Sequence, residues 1–311
     1  MLRSCLYEQV RYEVERWPLW RLDLDLRYLA KHLLHRPQPD SPADAAFWTA
    51  QADWLSRLRA ELPAAGGARL VAGGDLMWLR AGWDDFLSPG LRAHLAAADA
   101  ALANLETPVV AGRPVPRYTY ETPRYNAPPA YLDAWARSAP RSVLSLCNNH
   151  ALDQGTAGLQ ASRGAVTERG LVCLGGAQAE AEAVALLEVG GLRLACLGLT
   201  FGINGLARGA AGPPGVPVLA FGDPRADTDW ARVERLIARA RALDPDWIVA
   251  LPHWGYEYEY WPCARMRADA HRLLALGIDL IFGSSPHVLQ PCEVASLPVG
   301  MVYRCPLPTW K

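Results

Sequence analysis

Apolar residues along the chain follow two alternating spacings from about residue 66 onwards. Short β-type runs such as RLVAGG (69–74) and DWIVALPHW (246–254) are followed by stretches whose apolar residues recur at helical spacing. The run VALLEVGGLRLACLGL (184–199) contains the pair Gly190 and Gly191, which is typical of a β-hairpin turn. Strand–helix alternation predicts an α/β fold, and the hairpin predicts a sheet that is mixed rather than purely parallel.

The two spacings also place the individual elements. Strands are predicted at 68–73, 99–103, 143–147, 246–251 and 278–282, in addition to the hairpin and a final VGMVYR run at 299–304. Helices are predicted at 84–97, 129–138, 155–169, 229–243 and 264–276.

The first 65 residues differ from the rest of the chain. They are rich in Trp, Arg and Leu, and a breaker cluster (RPQPDSPAD, 36–44) precedes a helical stretch at 45–62. The segment PAAGGA (63–68) then reads as a linker. We therefore divide the chain into a helical N-terminal extension, 1–65, and a main domain, 66–311. The extension either packs on the main domain, which we favour, or binds a protein partner.

Charge and cysteine content limit the classes of binding partner and the cellular compartment that we expect for this protein. The formal net charge of −1 gives no electrostatic reason to expect nucleic acid or an anionic membrane as the main partner. The N-terminus lacks the apolar core of a signal peptide, and no apolar run is long enough to anchor the chain in a membrane. Seven scattered cysteines without a CxxC pair favour free thiols in a reducing compartment. We expect a soluble, cytoplasmic protein.

Polar side chains with metal-binding chemistry follow five of the predicted strands. These residues are Asp75; Asn104 and Glu106; Asn148, Asn149 and His150; His253 and Glu257; and His287. In α/β sheets the carboxyl ends of the strands are where ligands bind, and oxygen and nitrogen donors without thiolate suit a divalent metal ion. Each motif alone also has a structural interpretation, such as a turn, a buried histidine, or Asp153 as the cap of the following helix. Their joint occurrence at five strand ends predicts a site at one edge of a sheet.

The sequences around these residues resemble the CapA, or poly-γ-glutamate capsule-synthesis, family within the calcineurin-like metallophosphoesterase superfamily. The resemblance runs from about Leu70 to about Tyr303. It is carried by GGDLMW, LANLETPV, YNAPPAYLDAW, SLCNNHALDQGTAGL, LPHWGYEYEYWP and GIDLIFGSSPHVLQPCEV. It implies a two-sheet αββα sandwich, in which two packed β-sheets are flanked by helices and a metal centre lies at the sheet edge.

The resemblance also implies roles for individual residues. The implied metal ligands are Asp75, Glu106, Asn149, His253 and His287, and the metal is one or two ions of Mn, Fe or Zn. His150 matches the histidine that approaches the substrate or its leaving group, and Glu257 is a second candidate for acid–base catalysis. Asn104 lies beside Glu106 in the second acidic motif, and we place it among the substrate-binding candidates.

Two departures from the family pattern bear on the metal site. Relatives usually carry a further histidine shortly before the late PH pair, where this chain has Ser284 and Ser285. A hydroxyl is a poorer ligand than imidazole, so we expect one metal position to be weakened or absent. Relatives also continue after the VY strand with a segment like SLGNF, whereas this sequence reads VYRCPLPTWK. We expect a more open site.

Two functions follow as hypotheses. The first is a metal-dependent hydrolase or transferase acting on a small anionic substrate, either a phosphoester or a γ-glutamyl-type amide. Arg117 and Arg124 would meet its carboxylates or phosphates, and Trp254 would wall the pocket, although a solvated loop and core packing are the simpler interpretations of these residues. The second is a partly degenerate, non-catalytic scaffold of the same fold that binds a polymer or a partner.

Overall fold

The computed structural model describes residues 39, 41–61, 67–78, 87–116, 124–206, 210–223, 226–297 and 300–304. The helices are α1 (Pro42–Glu61), α2 (Pro89–Ala96), α3 (Ala130–Ser138), α4 (Gly155–Thr167), α5 (Trp230–Arg241) and α6 (Ala264–Ala275). The strands are β1 (Leu70–Leu76), β2 (Ala100–Leu105), β3 (Ser142–Ser145), β4 (Val172–Leu174), β5 (Val184–Val189), β6 (Leu192–Thr200), β7 (Trp247–His253), β8 (Leu280–Ile281), β9 (Glu293–Leu297) and β10 (Gly300–Arg304).

The strands form two sheets. One is parallel with the order β1-β2-β3-β4, and the other is mixed with the order β5-β6-β7-β8-β10-β9. The predicted hairpin is confirmed, because Val189 pairs with Leu192 across Gly190 and Gly191. Both glycines have positive φ (58° and 81°), as the tight turn between β5 and β6 requires. The α/β class and the mixed sheet are therefore confirmed.

The two sheets pack face to face, with helices on both outer faces. Buried apolar side chains of both sheets meet between them, including Leu102 and Val143 from the first and Cys196 and Val249 from the second. A second core lies between the parallel sheet and α2, α3 and α4, and a third lies between the mixed sheet and α5 and α6. This arrangement confirms the two-sheet αββα architecture.

Several boundaries differ from the sequence prediction. Strand β4 was not predicted because three residues are too short to show a period, and β9 was also missed. Helix α2 begins at Pro89 rather than at 84, because the Ser88 hydroxyl accepts a hydrogen bond from Leu91 N (3.2 Å) and caps the helix there. Strand β1 continues to Leu76 and so includes Asp75.

Helix α1 lies against the outer strand of the mixed sheet, and its position confirms the helix predicted at 45–62. Trp48 is buried, and the Gln51 side chain bonds to both backbone groups of Val294 on β9. A side chain that occupies the free edge of β9 in this way protects it from pairing with another strand. Residues 1–38 lie outside the described residues, so the extension as a whole and its boundary at 65 remain predictions.

The cysteines differ from the expectation of free thiols. Cys147, Cys173 and Cys196 are free and buried, and Cys263 is free and half-buried. Cys292 is disulfide-bonded, so the expectation of free thiols is wrong at that position. Within the described segments, no helix combines the length and the apolar character needed to cross a bilayer.

Candidate metal centre

The five predicted strand ends meet, but they come from two sheets rather than from one. The first three belong to β1, β2 and β3 of the parallel sheet, and the last two belong to β7 and β8 of the mixed sheet. A register shift between Ala72 and Asp75 places Asp75 opposite Asn104 on β2. Such a bulge re-aims the side chain that follows it, and here that side chain is a fully buried carboxylate.

Asp75 is at the centre of the site. Its Oδ1 accepts a hydrogen bond from Asn104 Nδ2 (2.7 Å), and its Oδ2 accepts one from the backbone N–H of Ser285 (3.0 Å). Both oxygens also face imidazoles, since Oδ1 lies 3.4 Å from His253 Nδ1 and Oδ2 lies 3.1 Å from His287 Nδ1. The carboxylate therefore links the two sheets through His253 and His287.

Three of the predicted metal ligands form a compact cluster. One ligand atom from each of Asp75, Glu106 and His287 lies within 4.8 Å of the others. Glu106 follows β2 and is 1% exposed. Ser285 and His287, in the loop after β8, adopt positive φ angles (97° and 55°). Non-glycine residues rarely adopt this conformation, and such strain is concentrated at functional sites.

His253 lies between the acidic residues of the cluster. Its Nδ1 is 3.0 Å from Ser284 Oγ and 3.1 Å from Asn104 Nδ2, and its Nε2 is 3.8 Å from Glu106 Oε1. Ser284, Asn104 and Asp75 therefore all contact the Nδ1 edge of the ring, which leaves Nε2 facing Glu106. Ser284 thus orients the His253 imidazole. From the sequence we had expected Ser284 only to mark the absence of a histidine ligand that relatives usually carry.

The buried donors fit a divalent cation. Among the described residues, Glu106 Oε2, Asn149 Oδ1 and His253 Nε2 are buried and have no hydrogen-bond partner. Buried polar atoms normally find partners, and a cation is a partner that carboxylate, amide and imidazole atoms accept. Carboxylate, amide and imidazole donors are the set that Mn²⁺, Fe²⁺ and Zn²⁺ accept. The structure thus supports a metal site at the predicted ligands Asp75, Glu106 and His287.

The carboxyl groups of the site ionise very differently. Burial alone would raise the pKa of Asp75, but hydrogen bonds and positive charge from His253 and His287 hold it well below its usual range. Burial, together with the negative charge of Asp75, raises the pKa of Glu106 to about 8. Burial would lower the pKa of His287, but Glu106 and Asp75 outweigh it and raise that pKa to about 9. Burial and the charge of Asp75 therefore favour the protonated form of Glu106 when no cation is bound.

His150 lies beside the cluster, with its Nε2 at 4.0 Å from Glu106 Oε1. Its Nδ1 is hydrogen-bonded to Asp153 Oδ2 at 2.7 Å. Burial would lower the pKa of His150, but the charge of Asp153 and this hydrogen bond raise it. The prediction that Asp153 caps the following helix is wrong. Gln154 is the residue before α4, and Asp153 instead holds His150.

Two residues without a predicted role also support this part of the site. The Asn148 side chain donates to Asn104 Oδ1 (3.1 Å) and to Leu105 O (2.9 Å), and its Oδ1 accepts from the backbone N–H of His150 (3.0 Å). The Tyr125 ring stacks on the His150 ring, with centroids 4.1 Å apart and planes 16° apart. The repeated asparagine in NNH was a signal for Asn148, whereas nothing local in the sequence pairs Tyr125 with His150.

The remaining predicted residues differ in how closely they approach the centre. Glu257 Oε1 lies 4.0 Å from His287 Nε2, and its side chain is 26% exposed. Both ends of the Asn104 amide bond to protein groups, which gives it a positioning role among the ligands. Trp254 is 3% exposed and packs edge-on against Phe221, as in the core-packing interpretation. The remaining two are Arg124, which is exposed, and Arg117, which lies outside the described residues.

Comparison with known proteins identifies relatives of this chain. Residues 69–302 match the family model described as "Bacterial capsule synthesis protein PGA_cap". The chain is 31% identical over 156 residues to the "PGA biosynthesis protein CapA" of Bacillus subtilis (strain 168), which is 49% of this chain and 38% of that protein. It is 31% identical over 205 residues to the "Probable polyglutamine synthesis accessory protein Rv0574c" of Mycobacterium tuberculosis, which is 64% of this chain and 52% of that protein.

Solved structures with a related arrangement come from Thermus thermophilus. A hypothetical protein has a TM-score of 0.46 at 16% identity, with 77% of this chain and 75% of that one covered. TT1561 has a TM-score of 0.42 at 10% identity, with 78% and 91% covered.

The family match extends over most of the main domain and includes every strand from β1 to β9. The curated relatives are longer, and the chain spans about two fifths to a half of their length. The match also includes all five strand ends that form the candidate metal centre. The chain belongs to the bacterial capsule synthesis protein family, PGA_cap.

Proposed function

We propose that the chain is a metal-dependent hydrolase or transferase that acts on a small anionic substrate, either a phosphoester or a γ-glutamyl-type amide. The observation that carries the proposal is the convergence of Asp75, Glu106 and His287 within 4.8 Å. The name of the Bacillus subtilis relative, which refers to PGA biosynthesis, is the reason to include γ-glutamyl substrates.

Five residues would hold the ion or ions: Asp75, Glu106, His287, His253 and Asn149. When bound, one or two divalent transition-metal ions supply Lewis-acid activation of water and neutralise an anionic centre. Glu106 would bind the ion as an ionised carboxylate and would release its proton to solvent, since a ligating carboxylate must be ionised. A cation would add to the positive charge that His253 and His287 already place beside the two buried carboxyl groups of the site.

His150 would supply the proton that the leaving group needs. Its Nε2 is on the side of the ring that faces Glu106, and its Nδ1 is occupied by Asp153. A protonated imidazole in that orientation can donate from Nε2 to a departing oxygen or nitrogen. Glu257, which is more exposed and lies beside His287, is a second acid–base candidate.

Metal analysis is the first test. Purified protein is stripped with a chelator, incubated with Mn²⁺, Fe²⁺ or Zn²⁺, desalted and analysed by mass spectrometry for bound metal. We expect roughly one or two equivalents in the wild type, and a loss of most of it in Asp75→Asn and His287→Ala. His94→Ala, at an exposed histidine of α2, is the matched control and should retain the wild-type content. Less than about a tenth of an equivalent in the wild type would overturn the proposal.

The reaction is tested next on the metal-loaded protein. Phosphomonoesters, phosphodiesters and γ-glutamyl peptides are screened side by side. Asp75→Asn, which lacks a proposed metal ligand, is the inactive control. Turnover that depends on both the added metal and Asp75 supports the proposal and selects the substrate class. Bound metal without turnover on any of the three classes would contradict the hydrolase function.

A non-catalytic scaffold is the second candidate, and one observation favours it. Both Asp75 oxygens already accept hydrogen bonds from protein donors, Asn104 Nδ2 and Ser285 N. The centre could therefore remain folded with no ion present. This candidate predicts that chelation leaves the melting temperature unchanged and that polymer binding is independent of metal.

The cellular setting also remains a proposal. We retain a cytoplasmic location, a protein partner for residues 1–65, and the absence of a nucleic acid partner as predictions from the sequence. Localisation of a tagged full-length chain, with capture of partners with and without residues 1–65, would test them.

A further inference from the structure

We propose that Asp153 is a positioning residue that fixes which nitrogen of His150 faces the metal centre, with the Tyr125 ring holding the imidazole plane. The expected effect of Asp153 on turnover rests on the proposed function. The orientation of the His150 ring does not depend on it.

One hydrogen bond fixes the edge of the imidazole, and two more hold the backbone beside it. The Asp153 side chain is 4% exposed, and its Oδ2 accepts hydrogen bonds from His150 Nδ1 (2.7 Å) and from Tyr125 N (2.7 Å). An ionised carboxylate only accepts, so the proton of this bond must be on His150 Nδ1. The His150 backbone N–H is held by Asn148 Oδ1 (3.0 Å). Nε2 is consequently the ring nitrogen that remains for the metal centre.

The face of the imidazole is fixed by Tyr125. Its ring stacks on His150 at 4.1 Å, and its backbone is held on both sides by the helix start, through Asp153 Oδ2 and through Gln154 Nε2 to Tyr125 O (2.9 Å). The same Asp153 oxygen therefore binds the imidazole and the backbone of the residue that covers it. A ring fixed at its edge and over its face loses both rotation and tilt, which is how a supporting contact keeps a catalytic group in its productive orientation.

The orientation can be tested without any enzyme assay. Protein with ¹⁵N-labelled histidine rings is studied by NMR in the metal-free state, and His150 is assigned from the His150→Ala spectrum. In the neutral ring of the wild type we expect the proton on Nδ1, whereas Asp153→Ala should shift the population towards the Nε2–H form. A wild-type ring with its proton on Nε2, or an unchanged tautomer in Asp153→Ala, would overturn the proposal.

The consequence for turnover is tested with leaving groups of graded basicity. Asp153→Asn should lower kcat ~10-fold or more for a leaving group that must be protonated, and much less for 4-nitrophenolate, which leaves without a proton. KM and bound metal should stay near the wild-type values. Asp229→Asn, which removes a carboxylate that caps α5, is the matched control and should change neither kcat nor its leaving-group dependence.

Failure of the positioning role of Asp153 can be distinguished from failure of the proposed function. If the wild type turns over no substrate, the proposed function fails while the NMR result still decides the role of Asp153. An equal loss of kcat for every leaving group in Asp153→Asn would overturn its role in positioning the acid, even if the tautomer changes as expected.

Discussion

Replacement of Glu106 by glutamine tests whether the site is built for a cation. In the metal-free fold, burial and the neighbouring charge of Asp75 raise the pKa of Glu106 from 4.5 to about 8. The unfolded chain loses this proton near 4.5 and the folded chain loses it only near 8, so the folded state binds more protons between these values. The contribution of Glu106 to stability therefore falls as the pH rises through this window.

The size of the effect follows from the same two pKa values. The difference between 4.5 and about 8 corresponds to an upper limit of roughly 5 kcal/mol of stability lost between low and high pH. Glutamine has nearly the same shape and cannot ionise, so Glu106→Gln should remove this pH dependence. Added divalent metal should restore the stability of the wild type at pH about 8, but not that of the variant, because the bound ion replaces the proton.

The measurement is urea denaturation of chelator-treated protein at several pH values from about 3 to 9. Glu293→Gln is the control, because the contribution of Glu293 to stability should change with pH in the opposite direction. Burial would raise the pKa of Glu293, but Arg267 and His271 lower it, so its contribution is present above its ordinary 4.5 and is lost at lower pH. Glu293→Gln should therefore be less stable than the wild type at neutral pH, with a difference that shrinks on acidification. Parallel stability curves for wild type and Glu106→Gln across the whole range would refute the reasoning.

Three further substitutions, one of them with a matched glycine control, test other parts of the structure. His150→Ala should lower turnover by ~10²-fold or more while bound metal stays unchanged, and unchanged turnover would exclude it as the proton donor. Gly198→Ala should destabilise the fold by about 1–3 kcal/mol in urea, because the added Cβ lies 2.7 Å from Cys147 Sγ. Gly202→Ala, where nothing lies within 4 Å, should be nearly neutral, and equal effects would contradict the packing argument. Gln51→Ala should cost about 1–2 kcal/mol by releasing the β9 backbone, and an unchanged urea midpoint would mean that this contact is unimportant.

Much of the fold is readable from local pattern. Periods of two and of 3.6 residues are properties of the chain itself, so the α/β class, the hairpin at Gly190 and Gly191, and most helices follow from the sequence. The shortest strand, β4, carries too few residues to show a period, and β9 depends on its pairing with β10. The chemistry of the site is also readable, because strand ends of an α/β sheet converge and Asp75, Glu106 and His287 carry donors that suit a metal.

The tertiary structure decided what depends on contacts between distant residues. The sequence by itself determined which residue types stand at the strand ends, since that is a matter of order along one chain. It did not determine that β1, β2 and β3 belong to one sheet and β7 and β8 to another, because strand pairing is a long-range choice. Asp153 has the spacing of a helix cap, and only the fold places its carboxylate on His150 and on the backbone of Tyr125. The ionisation of Glu106 was decided in the same way, since it depends on burial and on the nearby charge of Asp75.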